Sequence, residues 1–277
     1  MAKTVLITGS SSGFGKATAL LFLQRGWNVV ATMRSPDASI FGEASDNLHV
    51  VALDVTKPTS VSQAIQQGIE RFGAIDVLIN NAGIVILSAL EVTPEDRTRD
   101  IFETNTFGPI RVIQEIIPHM RTRGSGTIIN VTSSTGIAPM PLVAVYTASK
   151  MAMEGLAESL SYELGMLGIQ VKLVEPGYAP TTSLVANGAE RMEGLISEPY
   201  QAFAESYWGM LANYPTAYTT ESDVAETIYT AATDGTDRVR YPAGPDTQML
   251  AALRWSNTDE VYMAKMREMF GPAKKAL

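Results

Sequence analysis

Tyr146 and Lys150 stand four residues apart in the segment VAVYTASKMAMEGLAESL, and Ser133 lies thirteen residues before the tyrosine. In a helix, residues i and i+4 project from one face. An ammonium held beside a phenol favours the phenolate, which draws the tyrosine pKa down from about 10 towards working pH. A tyrosine tuned in that way gives or takes a proton at a reacting oxygen. Many surface helices carry a Tyr-x-x-x-Lys pair by chance, so the case for chemistry rests on the elements that position it.

The chain opens with KTVLITGSSSGFGKATALLFLQRG. Val5, Leu6 and Ile7 form a short apolar run that reads as a buried parallel strand. Gly9, Gly13 and Gly15 follow, and then an apolar-periodic helix through Ala17, Leu20, Leu21 and Leu23. A strand, a glycine turn and a helix N-terminus make an anion site. Unpaired N–H groups and the helix dipole point at a phosphate, and glycine lets it approach. The spacing is G-x-x-x-G-x-G, different from the G-x-G-x-x-G of the usual dinucleotide fingerprint.

Strand signals at 4–8, 28–33, 48–53, 75–80, 126–132 and 169–174 alternate with helix signals at 14–25, 58–72, 95–121, 144–167 and 221–234. A short seventh strand is expected around Arg238–Tyr241. Alternation of this kind builds a doubly wound, mostly parallel α/β sheet of Rossmann type, about seven strands with helices on both faces. No repeat or linker divides the 277 residues, so the expectation is one dinucleotide-binding and catalytic domain over 1–277. Residues 178–218 interrupt the pattern. They are expected to cover the carboxyl ends of the strands as a substrate lid. Leu184, Met192, Leu195, Tyr200, Phe203, Tyr207, Trp208, Met210 and Leu211 are divided there between packing and ligand contact. Residues 245–277, ending in Lys274 and Lys275, read as an added helix pair packed on the body or on a neighbouring subunit.

Composition limits the chemistry. The formal charge is −8 with no long basic run, which argues against nucleic acid as a partner. The absence of cysteine excludes disulfides, thiolate catalysis and a cysteine-rich zinc site. No metal site is expected. His49 and His119 are far apart and read as surface residues rather than as a catalytic base. The first apolar stretch is five residues, too short for a secretory segment or a membrane span, so the expected address is the cytoplasm.

Five motifs in order resemble the short-chain dehydrogenase/reductases, in their compact single-domain branch. They are Thr8-Gly9-Ser10-Ser11-Ser12-Gly13-Phe14-Gly15, Asp54-Val55, Asn80-Asn81-Ala82-Gly83, Ser133 with Tyr146 and Lys150, and Pro176-Gly177. The resemblance covers about Lys3 to Gly244. It implies that the glycine turn, including Ser11, Ser12 and Phe14, holds a dinucleotide pyrophosphate. It places Asp54 and Val55 at the adenine, and Asn81, Ala82 and Gly83 along the adenosine ribose. Pro176, Gly177 and Thr181 are implied to receive the nicotinamide, and Tyr146 and Lys150 its ribose. Tyr146 is the implied proton donor and acceptor, Ser133 the donor that fixes the substrate oxygen, and Asn105 the holder of a relay water beyond Lys150. Ser134 is the neighbouring alternative to Ser133, and the thirteen-residue offset selects Ser133.

The end of the second strand selects the cofactor. An acidic residue there would pair with the ribose 2′-OH and repel a 2′-phosphate. That position is Met33, and the next is Arg34, whose guanidinium matches phosphate geometry. NADP(H) is therefore favoured over NAD(H). Ser12 stands where NADP-dependent members often carry a basic residue, and Asp37 and Glu43 are near in sequence, so NAD(H) stays the alternative. The expected reaction moves a hydride between nicotinamide and a ketone or secondary alcohol of medium to bulky apolar type. The competing readings are an NAD(H)-dependent alcohol dehydrogenase, a dehalogenase or epimerase on the same scaffold, and a non-catalytic nucleotide sensor. Intact Gly13, Gly15 and Lys150 oppose the dehalogenase, and the full Ser-Tyr-Lys-Asn set opposes the sensor. The resemblance also implies a homodimer or homotetramer formed through helices 95–121 and 144–167.

Overall fold

The computed structural model describes residues 2–182, 193–212 and 217–271. Its centre is β1, Thr4–Ile7, whose four side chains are all buried. A strand covered on both faces has no solvent side, which is why it reads as a continuous apolar run. Parallel partners flank it, β2 (Asn28–Met33) on one side and β4 (Val77–Asn80) on the other. With β3 (Leu48–Ala52), β5 (Gly126–Val131), β6 (Ile169–Pro176) and β7 (Arg240–Ala243), the sheet has seven parallel strands in the order β3-β2-β1-β4-β5-β6-β7. The order reverses between β1 and β4. A crevice opens at such a switch point, beyond the carboxyl ends of the strands.

Side chains alternate along each strand, so each helix layer meets its own set. Leu6, Val30, Leu78, Ile128 and Leu173 pack against α2 (Pro58–Phe72), α4 (Gly108–Arg123) and α5 (Ala144–Gly165). Val5, Ile7, Val29, Ile79 and Val174 pack against α1 (Gly13–Gln24) and α7 (Glu221–Thr233). The helix between α5 and α7 is α6, Glu198–Ala212. In α2 the buried positions are Val61, Ala64, Ile65 and Gly68, the i, i+3, i+4, i+7 stripe of a helix with one wet face. Pro58 opens it, and Gly73, at φ 82, closes it in the left-handed region. One deep charge is paired on the sheet. Buried Lys172 on β6 reaches Asp234 at 2.6 Å and Tyr241 Oη at 3.2 Å.

The helix expected over 95–121 is not continuous. It is α3 (Glu95–Phe102), then a π-turn over Glu103–Phe107, then α4. The last two helices, α8 (Pro245–Trp255) and α9 (Asp259–Phe270), pack on the body of the same chain. Leu250, Tyr262, Met266 and Phe270 join Ala138, Leu142 and Tyr207 in one apolar cluster. Lys274 and Lys275 lie outside the described residues. No helix among the described residues is long and apolar enough to cross a membrane.

Candidate active site

β1 hands the chain to a turn in which Gly9 (φ 70) and Gly13 (φ 51) occupy the left-handed region. Ser12 stands at the N-cap of α1 and makes no side-chain cap, so the first-turn N–H groups are left for a ligand. A Cβ added at Gly13 would meet only Thr182 carbons, at 3.7 and 3.8 Å. Gly15 differs. Its Cβ would fall 2.2 Å from the Gly9 carbonyl oxygen and 2.5 Å from Asn81 Nδ2. Gly15 therefore permits close packing of helix on turn and does not line the cleft, contrary to its expected place among the cofactor contacts.

The turn is braced from β4. Asn81 Nδ2 donates to the Thr8 and Gly9 carbonyls, both at 2.9 Å. Thr8 Oγ1 accepts from the Asn81 and Ala82 N–H groups, both at 3.0 Å. Asn81, Ala82 and Gly83 thus set the shape of the glycine turn while lining the same cleft.

The cleft encloses about 1310 Å³, more than the ~300–1,000 Å³ of a pocket for one drug-sized ligand. One end is lined by Met33, Arg34, Asp54, Val55 and Lys57. Burial opposes ionisation of Asp54, but the Thr56 N–H (3.0 Å) and hydroxyl (2.8 Å), with the charges of Arg34 and Lys57, hold its carboxyl below the usual range. Neither Asp37 nor Glu43 lines this end, and the Asp37 carboxylate is engaged by Ser39. Lys57 escapes sequence reasoning because it looks like an ordinary residue before a helix.

Ser133, Tyr146 and Lys150 converge in the middle of the cleft, all buried. Ser133 follows β5 and starts a 3-10 turn over Ser134–Gly136, where its oxygen accepts from the Thr135 N–H at 3.2 Å. Its hydroxyl faces the Tyr146 phenol and favours its ionised form. Ser134 lines the cleft as well, and the partner of the phenol is Ser133. Lys150 Nζ donates to the Val131 carbonyl at 3.1 Å and lies 5.8 Å from the Tyr146 ring centroid. The expected depression of the phenol pKa is not found. Burial pushes Tyr146 up to about 12, against the downward pull of Ser133. The reason is desolvation, which penalises a phenolate more than this geometry compensates. Burial also brings Lys150 down to about 8, while Glu154 pulls the other way.

Asn105 sits in the π-turn, a form of helix frequent at functional sites. Its Oδ1 accepts from the Ile84 N–H at 2.8 Å, and its Nδ2 donates to the Ile84 carbonyl at 2.8 Å and to Ser149 Oγ at 3.1 Å. Ser149 in turn donates to the Tyr146 carbonyl at 2.7 Å. Asn105 therefore ties the loop after β4 to the turn of α5 that carries the tyrosine. His49 and His119 do not line the cleft, and His119 Nε2 accepts from the Ile75 N–H at 3.2 Å.

A family model described as short chain dehydrogenase matches residues 3–192. The chain belongs to the short-chain dehydrogenase/reductase family. It is 37% identical over 239 residues to an uncharacterized oxidoreductase of Schizosaccharomyces pombe, across 86% of this chain and 100% of that one. A crystal structure of a short-chain dehydrogenase from Streptomyces avermitilis matches with TM-score 0.79 at 31% identity, over 97% of this chain and 96% of that one. ElxO, solved with NADP bound, matches at 28% identity and TM-score 0.74, over 88% and 97%. The 3-ketoacyl-(acyl-carrier-protein) reductase of Brucella melitensis, solved with NADH, matches at 26% and 0.73, over 87% and 96%. This short-chain dehydrogenase/reductase is an NAD(P)-dependent oxidoreductase, and the fold alone does not choose between the two nucleotides.

In this short-chain dehydrogenase/reductase the far end of the cleft lies beyond β6. Pro176 and Gly177 end β6 and line it. Buried Asp246, in the first turn of α8, accepts from the Tyr178 N–H at 2.7 Å and from the Thr219 hydroxyl at 2.6 Å. A Cβ at Gly177 would lie 2.0 Å from that carboxylate. The C-terminal helices thus clamp the loop after β6. Thr181, expected on the nicotinamide side, is exposed, hydrogen-bonds to Glu221 at 3.1 Å and does not line the cleft. Thr182 lines it instead. Of the lid residues, Leu195, Tyr200, Phe203 and Met210 pack against the body. Tyr207, Trp208 and Leu211 line the cleft with Met140 and Val143. Leu184 and Met192 lie outside the described residues.

Proposed function

We propose that this enzyme reduces a ketone of medium to bulky apolar type, with NADP(H) as its cofactor. The observation that carries the reading is the Ser133–Tyr146 hydroxyl pair beside Lys150, at the middle of a cleft that begins at an uncapped helix N-terminus. When bound, the nicotinamide supplies the hydride donor or acceptor.

The chain's own residues supply the rest. First-turn N–H groups of α1 hold the pyrophosphate. Arg34 and Lys57 hold a 2′-phosphate, with no acidic side chain at the end of β2 to repel it. Asp54 meets the adenine, and the clamped Pro176-Gly177 loop receives the nicotinamide. Tyr146 stays protonated at working pH and donates its proton to the developing alkoxide. Ser133 aims a second hydrogen bond at the same oxygen, where charge builds in the transition state. Lys150 stabilises the phenolate left behind, and Asn105 positions it through the Ile84 loop, with a relay water as the implied link to solvent. Met140, Val143, Trp208 and Leu211 offer an apolar wall for the substrate. Exposed Met151 and Tyr162 on α5, with Met166 just past its end and Phe107 beside α4, support a homodimer or homotetramer through those helices.

The pH dependence has a definite sign. The phenol holds its proton below about 12, and Lys150 holds its charge below about 8. Reduction is expected to be fastest below about pH 8 and to decline as pH rises through that value. The measurement is NADPH oxidation against a panel of aliphatic, aryl and polycyclic ketones, repeated across pH. Activity on the bulkier ketones with an alkaline decline supports the reading. A preference for NADH, or no turnover across the panel, contradicts it.

A further inference from the structure

One turn beyond Lys150 on α5 stands Glu154, buried outside the cleft lining. It meets Glu175, a fully buried residue of β6 directly before Pro176. Both carboxylates contact a single nitrogen, Nη1 of Arg240 on β7. The two carboxyls are also within hydrogen-bonding reach of each other, and their outer oxygens, Glu154 Oε1 and Glu175 Oε2, have no other partner. Room for Glu154 is made by Gly136, where a Cβ would fall 2.6 Å from Glu154 Oε1. The carboxyl pair therefore lies directly under the turn that carries Ser133.

Charge counting gives this cluster its meaning. Arg240 from β7 faces the pair and also holds Glu158 of α5, and Glu154 acts by its charge on Lys150 one turn back on the same helix. The Ser134–Gly136 turn has no titratable side chain, and α8 adds the Trp255 ring, 5.9 Å from the Arg240 guanidinium. Arg240 is itself divided, because its Nε (3.0 Å) and Nη2 (2.8 Å) donate to half-exposed Glu158. Two buried carboxylates cannot both stay ionised beside half a guanidinium, since like charges in contact raise the cost of the second ionisation. Burial and the Glu154 charge accordingly push Glu175 up to about 8.

We propose that Glu154 is a positioning residue for Lys150: held by Arg240 beside buried Glu175, its carboxylate sets whether the lysine carries its charge. This rests on the role given above to Lys150. The pair works as a buried proton store. A proton held mainly on Glu175 leaves negative charge on Glu154 and keeps the ammonium charged. Neither carboxyl touches cofactor or substrate.

The test follows the lysine itself. In protein labelled with carbon-13 at the lysine ε-carbons, the Lys150 signal is assigned by its loss in Lys150→Arg and titrated with pH. Glu154→Gln is expected to lower the Lys150 midpoint by about one pH unit or more, since an opposite charge is lost. Glu175→Gln, which keeps that position neutral, is expected to leave it nearly unchanged, because the Glu154 carboxylate is still there. No fall in Glu154→Gln, or an equal fall in Glu175→Gln, overturns the proposal. Wild-type protein gives an independent reading should a variant not fold. Its infrared spectrum at neutral pH should contain the carbonyl stretch of a buried protonated carboxyl that resists deuterium exchange, and its absence overturns the proposal too. Neither readout needs turnover, so failure of the ketoreductase reading would appear separately, as absent NADPH oxidation.

Discussion

Tyr146→Phe is expected to lower kcat/KM for ketone reduction by about 10²–10⁴-fold, the range of a positioned general acid. The substitution removes one oxygen and keeps the ring, which packs with Ile86, Val143 and Leu195. Folding and the glycine turn should therefore be untouched, and the cofactor dissociation constant should change by no more than a few-fold. The loss falls on the chemical step because the phenol oxygen removed is the proton donor beside Ser133. Steady-state kinetics with a fluorescence titration of NADPH separates the two quantities. Activity retained in the variant would remove Tyr146 from the reaction.

Arg34→Ala is expected to lower kcat/KM for NADPH by about 10–100-fold, the value of one charged hydrogen bond of roughly 1.5–3 kcal/mol. The change should be in KM rather than kcat, since the guanidinium acts far from the reacting carbon. With NADH the same variant should change little. The argument rests on the sign of charge at the end of β2: Arg34 and Lys57 line the cleft there, and Asp37 and Glu43 do not. The measurement is kinetics of both nucleotides on wild type and variant. An equal loss with NADH and NADPH would mean that Arg34 does not read the 2′-phosphate.

The parts of this molecule governed by short-range order were legible in the residues. Buried apolar runs marked six strands to within two residues at each end, and the glycine turn stood where a strand meets a helix. Features that depend on what folds against what were hidden. The helical periodicity runs through Glu103–Phe107 without a sign of the π-turn, where Asn105, buried and outside the cleft lining, bonds to the Ile84 backbone. Residue type told that Gly15 belongs to the turn, but only the fold shows how tightly it packs against Gly9 and Asn81. Thr181 and Thr182 are chemically equal, and the path of one loop decides which of them faces the cleft. The high phenol pKa is likewise a consequence of burial that no i, i+4 spacing contains. Glu154, Glu175 and Arg240 are far apart in sequence and meet only because β6 lies between α5 and β7.

The most direct test of hydride chemistry at Ser133, Tyr146 and Lys150 uses NADPH carrying deuterium at C4 of the nicotinamide, with a ketone from the panel. Mass spectrometry of the alcohol should find one deuterium on the carbinol carbon, and its yield should collapse in Tyr146→Phe. Alcohol formed without deuterium, or the same yield from wild type and variant, would contradict the account.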